Sequence, residues 1–189
     1  MQCMNQRVRS WLDEIVTFAL IALIIVVPIR WFVAQPFIVR GGSMEPTFEN
    51  GEYLIVDQLT YRFSQPERGD VIIMRYPKDP STFFIKRIIG MPGETVEFIG
   101  DRVLIQRGVD MEPLTLDESF LEPKRVRKEY GTYAVGPDEY FVMGDNRIES
   151  SDSRSWGPLP RKDVVGRTLL RLFPPTRIAL FPGKISLPQ

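Results

Sequence analysis

A chain of 189 residues suits one globular domain with little room for more. Its 24 basic residues are balanced by 24 acidic ones, so it lacks the general basic field that would carry a nucleic-acid binder. Sixteen prolines and fourteen glycines argue against a long helical bundle. The lone cysteine, Cys3, excludes an internal disulfide framework, and the absence of histidine removes the Ser-His-Asp triad, the Cys-His dyad and histidine-bound zinc. An enzymatic base here has to be a lysine, a carboxylate or something rarer.

Residues 1–10 read as a short tail and residues 11–34 as a transmembrane helix. From Ile15 to Ile29 there is no charge. That run alone covers about 22 Å as helix, short of the roughly 30 Å hydrocarbon core. Trp11 and Trp31 lie about 30 Å apart along such a helix and suit interfacial anchors, while Arg30 can snorkel. A buried soluble helix would show a periodic polar face, and none breaks the run. A cleaved signal peptide would need cutting after Ala34, which puts Phe32 where a small residue belongs and Pro36 directly behind. A retained anchor fits better. Its orientation is weakly set by charge, since Arg7 and Arg9 face Arg30 and Arg40 across it.

Residues 35–189 read as an all-β domain, an antiparallel sheet or barrel-like fold. Short β-like runs occur at Tyr53–Val56, Val71–Arg75, Phe83–Ile89, Thr95–Ile99, Arg102–Gln106, Tyr140–Met143 and Thr168–Phe173, separated by Gly, Pro, Asn and Asp turn signals. Residues 108–133 are charged and weakly periodic, and read as a solvated insertion or small subdomain between core strands. The segment Arg167–Leu180 carries Arg171, Arg177 and Pro174-Pro175, so it cannot be a second span. It reads as a final strand plus an apolar surface edge able to rest on a bilayer.

Three clusters could carry chemistry. Gly41-Gly42-Ser43-Met44-Glu45-Pro46-Thr47 can present a hydroxyl and aim backbone N–H groups at an oxyanion, although Gly-Gly-Ser alone serves equally as a linker. In Phe83–Gly90 a lysine sits inside an apolar strand. Strand alternation puts Lys86 with Phe84 and Ile88 on an inward face, and Arg87 outward with Ile85 and Ile89. A lysine acts as a base only when neutral, and desolvation lowers its pKa from about 10.4. The plain alternative is a snorkelling surface lysine on an edge strand. In Gly144–Gly157, Asp152 and Arg154 could form a fixed ion pair along an extended segment, and Ser150 could orient an amine. An ordinary polar turn uses the same residue types. Together, a serine, an apolar lysine and no histidine fit the Ser-Lys variant of nucleophilic catalysis.

SMEPTF at Ser43–Phe48, GDVIIM at Gly69–Met74, KRIIGMPGE at Lys86–Glu94 and GDNRIESSDSRSWG at Gly144–Gly157, in this order and behind a membrane segment, resemble the type I signal peptidases. The resemblance runs from about residue 11 to residue 181. It implies Ser43 as nucleophile, Lys86 as general base, and Ser150 as a hydrogen-bond partner of the lysine amine. It implies Asp145, Arg147, Asp152 and Arg154 as supports, and the Ser43 N–H as an oxyanion donor. Many members carry a hydroxyl two residues before the nucleophile, where this chain has Gly41, so the second oxyanion donor stays open. The resemblance further implies an extended substrate beside the lysine strand. Small side chains would enter shallow pockets lined by Val39, Met44, Phe48, Phe84 and Ile85, giving Ala-x-Ala before the cut. Its implied partners are signal peptides of exported preproteins and the lipid bilayer, with the translocation machinery open as a third and no nucleic acid. It implies no metal or organic cofactor. It implies a single pass through the plasma (inner) membrane, with the N-terminus cytoplasmic and the catalytic domain on the extracytoplasmic side. A different Ser-Lys protease and a membrane-tethered peptide-binding β-domain are the rival readings.

Overall fold

The computed structural model describes residues 11, 13–24, 34–108, 111–126 and 128–188. Residues 13–24 are helical with apolar side chains exposed, among them Phe18 and Ile24. Among the described residues no helix is both long and apolar enough to cross a membrane. The remainder of the expected span, with Arg30 and Trp31, and the tail with Cys3, Arg7 and Arg9 lie outside the described residues.

From Ala34 onward the regular structure is mostly antiparallel strand, joined by turns and a few single helical turns. The larger sheet contains β1 (Ala34–Ile38), β2 (Tyr53–Asp57), β3 (Val71–Tyr76), β4 (Asp79–Gly90), β9 (Glu139–Met143), β10 (Leu159–Pro160), β11 (Val164–Phe173) and β12 (Ala179–Leu180). Its order is β1-β2-β11-β3-β4-β9-β10, with β12 branching from β11. The smaller sheet has the order β7-β6-β5-β8, from β5 (Thr95–Gly100), β6 (Arg102–Gln106), β7 (Leu114–Thr115) and β8 (Glu129–Ala134). All seven runs expected from the sequence are strands. Pro36 sits in β1 at the sheet edge, where its missing N–H leaves no ladder bond unmade.

β3 shows why the larger sheet holds. Val71 and Ile73 pack on one face with Val39, Met44, Phe48, Leu54, Val56 and Ile85. Ile72 and Met74 pack on the other with Ile88, Tyr140, Val142 and Leu159. Each such side chain contributes about 1.5–3 kcal/mol by leaving water, so the strand anchors two layers at once. A third cluster, including Ile89, Val96, Phe98, Phe141 and Met143, joins the two sheets.

This double coverage corrects the expectation that Arg87 faces outward. It does lie across the strand from Lys86, but that side is covered too, and Arg87 is fully buried. The stretch 108–133 also differs from a purely solvated loop. It carries β7 and most of β8, buries Leu116 and Leu121, and supplies Glu118 and Glu129 to the arginines described below.

Candidate active site

β4 pairs with β3 along most of its length but meets β9 only from Arg87 to Gly90. Toward its start one edge of β4 is therefore open, and Lys86 stands at the end of that open stretch. Its side chain is 3 % exposed. Nζ lies 2.8 Å from Ser43 Oγ, donates to the Ile85 carbonyl at 3.0 Å, and sits 5.1 Å from the centre of the Phe84 ring. Burial lowers the amine from its ordinary 10.5 to about 8, and Arg154 pushes the same way. The Asp152 and Asp145 carboxylates act in opposition but do not outweigh the lost hydration.

Ser43 is held through its backbone. Its carbonyl accepts from Asn146 N at 3.0 Å, and the Gly42 carbonyl accepts from Asn146 Nδ2 at 3.1 Å. Gly41 has a φ of 86°, a left-handed turn that glycine adopts freely, and its N–H donates to Asn50 Oδ1 at 3.0 Å. Among the described residues the Ser43 N–H has no acceptor. Gly144 passes so close that a Cβ there would overlap both the Ser43 carbonyl oxygen and Ser150 Oγ.

Four ion pairs, buried or largely so, surround the site. Asp145 takes two bonds from Arg87, at 2.8 and 2.6 Å, and a third from Thr47 Oγ1 at 2.5 Å. Asp152 takes two from Arg154, both at 2.8 Å. This pair forms as expected, but on different local geometry. Asp152 is the N-cap of a single helical turn, Ser153–Trp156, and not part of an extended segment. Burial raises the Asp152 carboxyl, but Arg154 and the nearby Ser150 and Gly144 outweigh it, so the acid sits below its usual range. Arg154 also bonds Glu129 and the Arg147 carbonyl, and Arg147 bonds Glu118 and the Gly144 carbonyl. Such bidentate, charge-assisted bonds fix orientation as well as charge.

Ser150 departs from the sequence expectation. Its hydroxyl is buried and near enough to Asp152 to help hold that carboxyl down, yet it makes no hydrogen bond of ordinary geometry. The amine bonds instead to Ser43 and to the Ile85 carbonyl.

A groove of about 340 Å³ opens beside the Ser43–Lys86 pair. Val39, Phe84 and Ile85, three of the residues expected at the substrate pockets, line it. Met44 and Phe48 do not. Both are wholly buried behind its wall, because their turn folds them into the apolar cluster with Leu54 and Val56. Leu54, Ile73, Phe37 and Arg40 line the groove instead. Phe37 on β1 meets Phe83 on β4 with ring centres 5.4 Å apart, so the two strands flank one cleft. Sequence reasoning also passed over Asn146 and Thr47, although both stand inside blocks it had singled out.

A family model described as "Signal peptidase, peptidase S26" matches residues 12–173. The chain belongs to that family. It is 38 % identical over 177 residues to "Probable signal peptidase I-1" of Synechocystis sp., a match covering 89 % of this chain and 86 % of the relative. It is 37 % identical over 165 residues to "Signal peptidase I" of Leptolyngbya laminosa, covering 84 % and 78 %. With "Signal peptidase I P" of Bacillus subtilis subsp. natto it shares 34 % over 184 residues, covering 92 % and 96 %. As a member of the signal peptidase family the protein is a serine endopeptidase, and membership supports signal-peptide removal as its activity.

Proposed function

We propose that this signal peptidase cuts leader peptides from exported preproteins after small residues, Ala-x-Ala, with Ser43 as nucleophile and Lys86 as general base. The observation that carries the reading is a buried lysine amine, lowered to about 8, at 2.8 Å from a serine hydroxyl beside an open strand edge. The neutral amine takes the Ser43 proton as Oγ attacks the carbonyl carbon of the scissile bond. The resulting oxyanion is met by the Ser43 N–H. The charged amine then returns its proton to the leaving nitrogen of the mature chain. A water molecule, deprotonated in turn by Lys86, hydrolyses the acyl-serine and frees the leader. No metal or organic cofactor takes part.

The leader lies extended along the open edge of β4, opposite β1, with its small side chains against Val39, Leu54, Ile73 and Ile85. The pockets are shallow, so bulk is rejected by clash. Residues 11–34 anchor the protein once in the plasma membrane, with the N-terminus cytoplasmic and the β-domain outside. The exposed side chains of Leu172, Phe173, Ile178 and Leu180 support contact of that domain with the bilayer.

Cleavage of an Ala-x-Ala preprotein in detergent micelles tests the reading, with wild type compared against folded Ser43→Ala and Lys86→Ala. Cleavage at that bond by wild type alone is expected. Full activity of either variant would remove the dyad.

A further inference from the structure

The segment from Gly41 to Phe48 lies outside any strand or helix, and two glycines leave its start intrinsically loose. Asn146 fixes that start through the Gly42 and Ser43 carbonyls. The far end is fixed by two arginines that the mechanism above does not use. Arg171, on β11, donates Nη2 to the Thr47 carbonyl at 2.7 Å and lies 4.8 Å over the Phe48 ring. Arg177, just past β11, donates Nη2 to the Pro46 carbonyl at 3.2 Å and the Thr47 carbonyl at 3.4 Å.

Both guanidinium groups share one counter-charge. Glu52 is 2 % exposed and pairs with Arg171 at 3.0 Å and Arg177 at 2.8 Å. Glu49 adds a pairing to Arg177 at 2.8 Å. A buried ionic cluster of this kind gains little net stability over an apolar packing of the same volume. Its contribution is better sought in the geometry it imposes, and the atoms it fixes are two consecutive carbonyls just beyond Ser43.

Thr47 is gripped from both sides. The arginines hold its carbonyl, and its hydroxyl bonds Asp145, which is paired to Arg87, the chain neighbour of Lys86. One continuous set of polar bonds thus ties the serine loop to the lysine strand. We propose that Arg171 and Arg177, locked by Glu52, are positioning residues that keep Ser43 in reach of Lys86. The inference rests on the Ser43–Lys86 reading.

The test uses the full chain in detergent micelles, with kcat and KM measured on an Ala-x-Ala preprotein for Arg177→Ala, Arg177→Lys and Glu52→Gln. Arg177 is preferred to Arg171 because its side chain is 30 % exposed and leaves a smaller hole. Displacement of the serine by a fraction of an ångström lowers kcat of Arg177→Ala by about 10- to 100-fold per folded molecule, with KM held within about twofold. Arg177→Lys recovers only part, since an ammonium lacks the planar fork that reaches two carbonyls. The acid limb of the pH profile keeps its midpoint, because the burial of the lysine amine and the charged groups that set its pKa, Asp152, Asp145 and Arg154, are unchanged. A kcat per folded molecule equal to wild type would overturn the inference, as would a change confined to KM or a shifted midpoint. Should Arg177→Ala not fold, Arg177→Lys and Glu52→Gln carry the same test. Ser43→Ala separates the two levels. If it still cleaves, the proposed function fails; if it is inactive while Arg177→Ala matches wild type, only the positioning role fails.

Discussion

Lowering the pH re-protonates Lys86, and the size of the effect follows from its burial. With the amine at about 8, roughly one molecule in eleven carries a neutral lysine at pH 7; at the ordinary 10.5 it would be about one in 3,000. Desolvation therefore recovers about 3 kcal/mol of base availability at neutral pH. The neutral fraction rises from about one in a hundred at pH 6 to about nine in ten at pH 9, so kcat/KM should climb nearly a hundredfold across that range. On the acid side its logarithm should fall by about one for each pH unit. The assay is kcat/KM for preprotein cleavage in micelles from pH 5 to 10.

The same burial has a stability consequence of fixed sign. Between pH 8 and 10.5 the unfolded chain holds a proton on Lys86 that the folded chain does not, so stability rises with pH through that window. Below it the cost is fully present, and Lys86→Met should unfold at a higher temperature than wild type at pH 7, with the gap closing toward pH 10.5. A flat profile from pH 5 to 9, or a midpoint near 10.5, would refute the argument that a desolvated neutral lysine is the base.

Three further outcomes follow from the geometry. Arg87→Met leaves Asp145 buried and uncompensated, and should cost about 3–5 kcal/mol in denaturant unfolding, part of it restored by adding Asp145→Asn. Gly144→Ala drives a methyl group into the Ser43 carbonyl and Ser150, and should lower kcat by about 100-fold or more in whatever fraction remains folded. Leu54→Ala, at the floor of the groove, should lose about 2–5 kcal/mol of stability yet raise the relative kcat/KM for leaders with valine in place of alanine. Unchanged selectivity would remove Leu54 from the specificity wall.

The central strands were legible because their signal is local. Val71–Met74 is an unbroken apolar run between a Gly-Asp turn and a charged end, and little else can be done with such a run but bury it in a sheet. Lys86 was legible for the converse reason, as a charge where only apolar residues belong. The side chains that turned out differently depend on distant parts of the chain. Arg87 is buried because Asp145 and the Gly183 carbonyl arrive from far along the sequence to receive it. Met44 and Phe48 turn inward because β2 and β3 offer them a cluster to fill. Short strands such as β10 and β12 are set by their neighbours and carry no periodicity of their own.

The open stretch of β4 has a bearing on how many clients one such enzyme can serve. A main-chain ladder presents the same alternation of N–H and C=O groups whatever the sequence of the peptide laid against it. In the binding mode proposed above, only the side chains that point into the cleft between β1 and β4 would be checked, while the rest would face water. A protease built this way discriminates at a few points and is indifferent elsewhere, so leaders of widely different sequence can be processed by a single catalyst.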